Sequence, residues 1–356
     1  MRHALRLAER GLGLTAPNPA VGCIIVSRDN RVVGCGWTGR GGRPHAEAVA
    51  LAEAGNKARG GTAYVTLEPC AHHGKTPPCA AALVQAGIAR VVAAAADPDP
   101  RVDGAGFERL RAAGVEVVIR LLEDEASELN AGFLLRMCKG RPLVTLKIAA
   151  SADGRTASAS GDSQWITGGD ARRFGHLLRA RHDAILVGIE TVIADDPSLT
   201  CRLPGLEDRS PVRIVLDTQL RLPQPSKLVQ TAREIPTWVF TVAEGGDELR
   251  ACGVDIFVVG RDARGRPDLA AMLRTLADRG ITRLLVEGGA GVHASFIDRG
   301  FADRVECFRA PMMLGAAGQP AIGSLAALGL DEALRFTRTG TRRFGSDLLE
   351  SFRASH

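Results

Sequence analysis

Near the N-terminus, HAEAVAL (45–51) places His45 and Glu47 two residues apart, and TLEPCAHHGKTPPCAAAL (66–83) adds Cys70 and Cys79. One imidazole and two thiolates form a three-ligand set that leaves a tetrahedral zinc with an open fourth position for water. Zinc lowers the pKa of such a water to near neutrality. Cys70 follows Pro69 at a strand end. Cys79 follows Pro77 and Pro78 at a helix start, where the partial positive charge of the helix favours a thiolate. Glu47, close to a metal held this way but not bound to it, has the chemistry of a proton shuttle. The pattern H-x-E with P-C-x-x-C marks zinc deaminases. Here the second cysteine comes nine residues after the first rather than three, so a loop must be inserted between them.

Each of these residues alone has an ordinary explanation. His45 and Glu47 suit a solvated helix end, and either cysteine suits a small buried apolar position. On a regular helix, positions i and i+2 point apart, so the pair forms a site only if His45 sits at an irregular first turn. His72 and His73 are further possible ligands, read here as loop or substrate-facing residues.

The elements that must position these groups alternate. VGCIIVS (21–27) and VVGCGWT (32–38) read as a hairpin. Then come a helix over 44–54, a strand over 62–68, a helix over 78–86 and a strand over 90–97. A helix near 104–113, a strand over 115–120 and one helix over 124–138 complete the first half. The basic, glycine- and proline-containing KGRP (139–142) marks a boundary, giving domains 1–140 and 141–356. The second half opens on the strand PLVTLKIAAS (142–151), followed by a helix over 169–181 and a run AILVGIET (184–191). Strands at 212–217, 237–242 and 254–260, a helix over 268–279 and a strand–glycine turn–helix in RLLVEGGAGVHASF lead to a strand-rich tail. Both halves are α/β, with helices expected on both faces of a sheet.

At 356 residues, with 45% hydrophobic and 24% charged residues and mean hydropathy near zero, the chain has the composition of a globular protein with a normal core. The net charge of +5 suits an anionic small substrate, while an aromatic content of 4% argues against a nucleic-acid surface. Eight cysteines without framework spacing predict reduced thiols. The N-terminal MRHALRLAERG reads as an amphipathic helix without the apolar core of a signal peptide, and no run is long enough for a membrane span. A cytoplasmic location is expected.

With these residues in view, the sequence resembles the bifunctional deaminase/reductases of bacterial riboflavin biosynthesis. The resemblance rests on PNPAVGCIIV, HAEAVAL, TAYVTLEPCAHHGKTPPCAAAL, DPDPRVDGAG, LKIAASADGRTA, GDSQWIT, ADDPSLTCR and VEGGAGVHASF, in the family's order over most of the chain. The long PCAHHGKTPPC loop is specific to this branch, so the irregular cysteine spacing becomes an identifier. The resemblance implies an N-terminal cytidine-deaminase-like α/β/α domain with His45, Cys70 and Cys79 as zinc ligands and Glu47 as proton shuttle. Asn18 and Lys75 carry over as contacts to base and phosphate. Ala71 stands where the family commonly has serine.

It also implies a C-terminal dihydrofolate-reductase-like α/β domain that uses NADPH. Ala149, Trp165, Thr191, Asp195 and the run Gly289, Ala290, Gly291, Val292, His293, Ala294 and Ser295 match cofactor positions. Ser163, Arg179, Ser198, Arg202 and Glu287 match substrate positions, with Arg179 and Arg202 suited to gripping a phosphate by charge and fork geometry. From the residues themselves, Lys147 in the otherwise apolar strand TLKIAA is aimed at a cleft or lies on a solvent-facing edge. The turn DGRT just after it favours the cleft, and hence a role at the substrate's sugar or in protonation. Asp153 in that turn reads equally as a turn residue or a site residue. The implied partner is a phosphorylated pyrimidine, with neither nucleic acid nor membrane, and the implied assembly is a homo-oligomer. The alternatives are a nucleoside or tRNA deaminase with an unrelated second domain, and a noncatalytic zinc-stabilised protein whose metal is closed by His72 or His73.

Overall fold

Alternation along GCIIV sets the layers of the first unit, because successive strand residues face opposite ways. In the computed structural model, which describes residues 1–71, 77–99, 104–327 and 329–355, contacts divide the chain into two compact units, Met1–Arg141 and Pro142–His356. The first unit runs α1 (Arg2–Ala8), β1 (Gly22–Val26), β2 (Val32–Trp37), α2 (Ala46–Ala54), β3 (Thr62–Val65) and α3 (Cys79–Gln85). It continues with β4 (Arg90–Ala93), α4 (Ala105–Ala112), β5 (Glu116–Val118), α5 (Glu123–Leu129) and α6 (Ala131–Lys139). The five-stranded sheet has the order β2-β1-β3-β4-β5, antiparallel from β2 to β3 and parallel from β3 to β5. Cys23 and Ile25 of β1 pack with Ala46, Ala50, Leu83 and Phe107 from α2, α3 and α4. Ile24 faces the other way, against Ala4 and Leu7 of α1.

One helix was expected over 124–138, yet the chain bends at Asn130 into α5 and α6. The cause lies far away in sequence. The buried Asn130 side chain donates to the Ala20 carbonyl at 3.0 Å and accepts from the Ala20 N–H at 2.9 Å. Satisfying a backbone segment that lacks a strand partner outweighs continuing one helix.

The second unit begins with β6 (Leu143–Ser151), β7 (Arg155–Ala157), α7 (Gly169–Ala180), β8 (Ala184–Gly188), α8 (Ile189–Asp195), β9 (Val212–Leu216) and α9 (Lys227–Gln230). It goes on through β10 (Thr237–Thr241), α10 (Asp247–Ala251), β11 (Asp255–Val258), α11 (Leu269–Asp278), β12 (Arg283–Val286) and α12 (Ala290–Asp298). Strands β13 (Arg304–Ala310), β14 (Gln319–Pro320), β15 (Phe336–Phe344) and β16 (Asp347–Ala354) form the strand-rich tail. The order of the nine-stranded sheet is β11-β10-β9-β8-β12-β6-β13-β16-β15, parallel from β11 to β13 and antiparallel beyond. β7 and β14 pair separately.

Along β8, Leu186 joins the core beneath α11 and α12, while Ile185 and Val187 face the core containing Leu178 of α7 and Leu228 of α9. Helices therefore cover both faces. The run AILVGIET, read as continuous, turns after Gly188 into α8. Among the described residues, no helix is long and apolar enough to cross a membrane.

Replacing Asn130 by alanine strips partners from two buried backbone groups at Ala20, a loss of about 2–3 kcal/mol. Hydrogen exchange measured by mass spectrometry should accelerate in peptides covering 18–26 and 123–139, with peptides beyond residue 142 unchanged.

Candidate active sites

Close backbone packing places the first site. A Cβ on Gly36 would lie 2.1 Å from the Ala46 carbonyl oxygen, and one on Gly34 the same 2.1 Å from that of Ala50. Two glycines on β2 thus let the α2 backbone settle onto the strand. His45 stands just before that helix with an extended backbone (φ −72°, ψ 154°). This is the irregular first turn that the H-x-E spacing demands, and it lets His45 and Glu47 converge. Cys70 comes from the segment after β3 and Cys79 opens α3. The Cys79 N–H donates to Cys70 Sγ at 3.3 Å, tying the two thiols together.

The ligand atoms of His45, Cys70 and Cys79 all lie within 4.8 Å of one another. His45 Nδ1 is 3.1 Å from Cys79 Sγ and 3.6 Å from Cys70 Sγ. Three donors around a single zinc at bond lengths of about 2.0–2.3 Å stand about 3.5 Å apart, so the cluster fits that ion. The Cys79 thiol bonded to Cys70 lowers the Cys70 pKa to about 4, while the same bond pushes Cys79 up. Cys79 donates to Cys70 from both its thiol and its backbone N–H, and holding zinc requires both as thiolates. Glu47 is buried, and burial raises its carboxyl to about 6 even though its own backbone N–H and His45 oppose the shift. It is hydrogen-bonded to Cys79. A carboxyl poised near neutrality beside a metal cluster can both take and return a proton.

Asn18 is exposed and donates to the Gly41 carbonyl at 3.2 Å, on the loop that leads to His45. Gly42 has φ +85°, and a Cβ there would collide with the Asn18 side chain at 2.1 Å. Lys75, His72 and His73 lie outside the described residues. The sequence reading passed over Glu68. This buried carboxylate accepts the backbone N–H groups of Gly104 (3.2 Å), Gly106 (2.9 Å) and Phe107 (3.4 Å), anchoring the α4 crossover beside Cys70. The only signal for it was a carboxylate in TLEPC with no other task.

In the second unit a cavity of about 950 Å³ opens at the C-terminal ends of β6, β8, β9 and β12. Open parallel sheets bind ligands at this edge, and the volume suits a large ligand. Ala149, Thr191, Asp195, Trp165 and Ser163 line it. So do Gly289, Ala290, Gly291, Val292 and Ser295. Gly288 lets the turn close, since a Cβ there would meet Thr191 Oγ1 at 2.9 Å. His293 and Ala294 do not face the cavity; helical periodicity turns both side chains into the core at 5% and 4% exposure. The expected cofactor run is therefore narrower than its seven consecutive residues.

Lys147 and Glu287 also line the cavity, with Lys147 Nζ 4.0 Å from Glu287 Oε2. Arg179 donates through Nε and Nη2 to the two oxygens of Glu287 at 2.8 Å each, and through Nη1 to the Thr200 carbonyl at 3.0 Å. Its fork, expected to grip a phosphate, is thus committed to a buried carboxylate. Burial pushes Glu287 up, but the charges of Arg179 and Lys147 outweigh it and hold the carboxyl at about 2. Burial lowers Lys147, with Arg179 adding to the effect and Glu287 opposing it. Ser198 and Arg202 are not among the residues lining the cavity; they lie on the segment around Thr200, which Arg179 ties to Glu287, and Arg202 is exposed with its N–H donating to His176 Nδ1 at 3.3 Å. Asp153 is a turn residue. Its carboxylate accepts from Ser151 Oγ and from the N–H groups of Leu314 and Gly315.

Residues 142–349 match the family model described as the RibD C-terminal domain, and residues 1–95 match the cytidine and deoxycytidylate deaminase zinc-binding region. The riboflavin biosynthesis protein RibD of Aquifex aeolicus is 42% identical over 355 residues, covering 99% of this chain and 97% of that protein. The chain belongs to the RibD family. The RibD of Escherichia coli K12 is 45% identical, covering 89% of this chain and 88% of that protein. A solved RibD from Acinetobacter baumannii has a TM-score of 0.91 at 40% identity, covering 100% of this chain and 98% of that one. A Thermotoga maritima structure described as a diaminohydroxyphosphoribosylaminopyrimidine deaminase/5-amino-6-(5-phosphoribosylamino)uracil reductase has a TM-score of 0.89 at 35% identity, covering 100% and 97%. As a RibD family member, the chain is a bifunctional deaminase and reductase of riboflavin biosynthesis, with a cytidine-deaminase-like first domain and a RibD reductase domain.

Two substitutions separate the sites. Gly36→Val forces α2 off β2 at a cost of about 1–3 kcal/mol, and metal analysis should show zinc lost from the purified protein. Glu287→Gln leaves Arg179 and Lys147 without their counter-charge, destabilising the second unit by about 3–5 kcal/mol. Its thermal unfolding should move down while zinc content stays the same.

Proposed function

We propose that the chain catalyses two consecutive steps on one phosphorylated pyrimidine. In the first, oxygen from water replaces the 2-amino group of 2,5-diamino-6-ribosylamino-4(3H)-pyrimidinone 5′-phosphate, and ammonia leaves. In the second, the ribosyl side chain is reduced to ribityl, giving 5-amino-6-ribitylaminouracil 5′-phosphate. The observation that carries the reading is the convergence of His45, Cys70 and Cys79 with the buried, non-ligating Glu47. Among the described residues the cluster offers three ligands, which favours an open catalytic site over a closed structural one.

Zinc, when bound by those three residues, supplies the Lewis acidity that activates water. Glu47 handles the protons: its carboxylate oxygen takes one from the attacking water and returns it to the departing amino nitrogen. Burial raises this carboxyl above its ordinary value, which suits a group that must both take and return a proton. Asn18 and Lys75 are assigned to the base and the phosphate of this substrate.

NADPH, when bound along the cavity, supplies the hydride for the second step. Ala149, Trp165, Thr191, Asp195, Gly289, Ala290, Gly291, Val292 and Ser295 would position it. Hydride reaches C1′ of the ring-opened imine, and a proton reaches the imine nitrogen. Lys147 points into the same cavity, where it contacts the sugar hydroxyls or assists that protonation. Glu287 and Arg179 hold Lys147 in place, while Ser163, Ser198 and Arg202 are left to contact the substrate. The same reading makes the protein a cytoplasmic homo-oligomer.

Glu47→Gln should keep its zinc and lose about 10²–10⁴-fold in ammonia release; full activity in that variant would refute the shuttle. In a coupled assay, NADPH oxidation should depend on the deaminated pyrimidine. Lys147→Met should slow that oxidation without slowing ammonia release, and equal loss of both would remove Lys147 from the reduction.

A further inference from the structure

Between α8 and β9, residues 197–202 form neither helix nor strand, so side chains from outside must fix their path. Leu199 takes a left-handed backbone (φ +54°), and its side chain is buried in the core that contains Leu178 of α7. A leucine keeps that conformation only where its surroundings over-determine it, and such positions gather at functional sites. Three neighbouring backbone groups have side-chain partners. The Thr200 carbonyl accepts from Arg179 Nη1 at 3.0 Å, the Cys201 N–H donates to Ser210 Oγ at 3.1 Å, and the Arg202 N–H donates to His176 Nδ1 at 3.3 Å.

His176 stands three residues before Arg179 on α7, so the two side chains share a face of the helix. Arg179 directs its other donors to Glu287, which also faces Lys147. His176 Nδ1 lies 3.1 Å from the Thr200 carbonyl oxygen as well. One nitrogen of a neutral imidazole donates or accepts, but does not do both. Arg179 already supplies Thr200 with a donor, so the role left to Nδ1 is to accept from Arg202, with the proton on Nε2. Burial, followed by the charges of Arg179 and Arg202, lowers the imidazole to about 4 against the opposing Thr200 carbonyl and Glu287. The ring is therefore neutral near pH 7 and keeps its lone pair for Arg202. His176 is not among the residues lining the cavity, so its effect on the reduction passes through the segment it holds.

We propose that His176 is a positioning residue for the reduction: by fixing the Arg202 backbone it sets residues 198–202 to receive the phosphate of the substrate. The inference rests on the reading of Ser198 and Arg202 as substrate contacts. The Arg202 guanidinium is exposed while its N–H is held, so the backbone decides where that charge can reach. From there the contacts run through His176 and Thr200 to Arg179, Glu287 and Lys147. A phosphate gripped at one end places the sugar carbon at the other, where an error of about 1 Å costs rate steeply.

Steady-state NADPH oxidation by the full chain tests this with two substrates, the deaminated pyrimidine phosphate and the same compound without its phosphate. In His176→Leu, KM for the phosphorylated substrate should rise about 10- to 100-fold. KM for NADPH and the rate on the phosphate-free compound should stay the same, which also shows that the second unit is folded. His176→Asn puts an amide oxygen near the place of Nδ1 and should recover most of the loss. His176→Gln, whose amide reaches the place of Nε2, should not; this pair decides the matter if the leucine variant does not fold. An unmoved KM in His176→Leu, an equal loss on both substrates, or an asparagine variant no better than the glutamine one would each overturn the proposal. Arg202→Gln tests the underlying reading separately. If it leaves KM for the phosphorylated substrate unchanged, Arg202 is no phosphate contact and the proposal falls with that reading. If it raises KM while His176→Leu does not, the reading stands and the proposal alone falls.

Discussion

Parallel pairing is the constraint on which both sites depend. A parallel strand cannot return by a tight turn, so each crossover leaves the sheet at the same edge. In the first unit that edge gathers the segment after β3 with Cys70 and the start of α3 with Cys79. In the second it gathers the ends of β8, β9 and β12 with the glycine turn before α12. Chemistry-bearing residues far apart in sequence meet because the topology returns them to one rim. The antiparallel strands β1, β2, β15 and β16 supply none of the three candidate metal ligands or the cavity lining.

The two glutamates at these rims show how surroundings divide one side chain into two tasks. Among the protein's own groups, burial outweighs the backbone N–H and His45 around Glu47, so its carboxyl rises to about 6. Glu287 is equally buried, but Arg179 and Lys147 reverse the balance and hold it at about 2. The first can exchange protons near neutral pH. The second is a fixed charge, suited to holding cations in place. Neither difference is visible in the residue type, and both follow from which charges lie within a few ångströms.

What was legible in the sequence follows this division between local and distant causes. Periodicity and turn residues are local, so the alternating elements could be read with small errors at their ends. The cysteine loop, the H-x-E pair and the glycine turn could be singled out for the same reason. The break at Asn130 could not, because its partner is Ala20, 110 residues earlier in the chain. The commitment of Arg179 to Glu287 spans α7 and β12, so an arginine that looks ready for phosphate proves to be occupied. Within Gly289–Ser295, motif matching treats every residue alike, while the helix turns His293 and Ala294 inward. Glu68 was missed for a similar reason, since its partners belong to a different crossover.

The glycines of β2 have a consequence for anyone wishing to redesign the deaminase. Most walls of an active site can be reshaped by exchanging one side chain for another. Behind α2, at Gly34 and Gly36, strand and helix touch through their main chains, so a side chain added at either glycine must displace the helix. Redesign of this contact is closed off by the want of a single carbon atom at Gly34 and at Gly36.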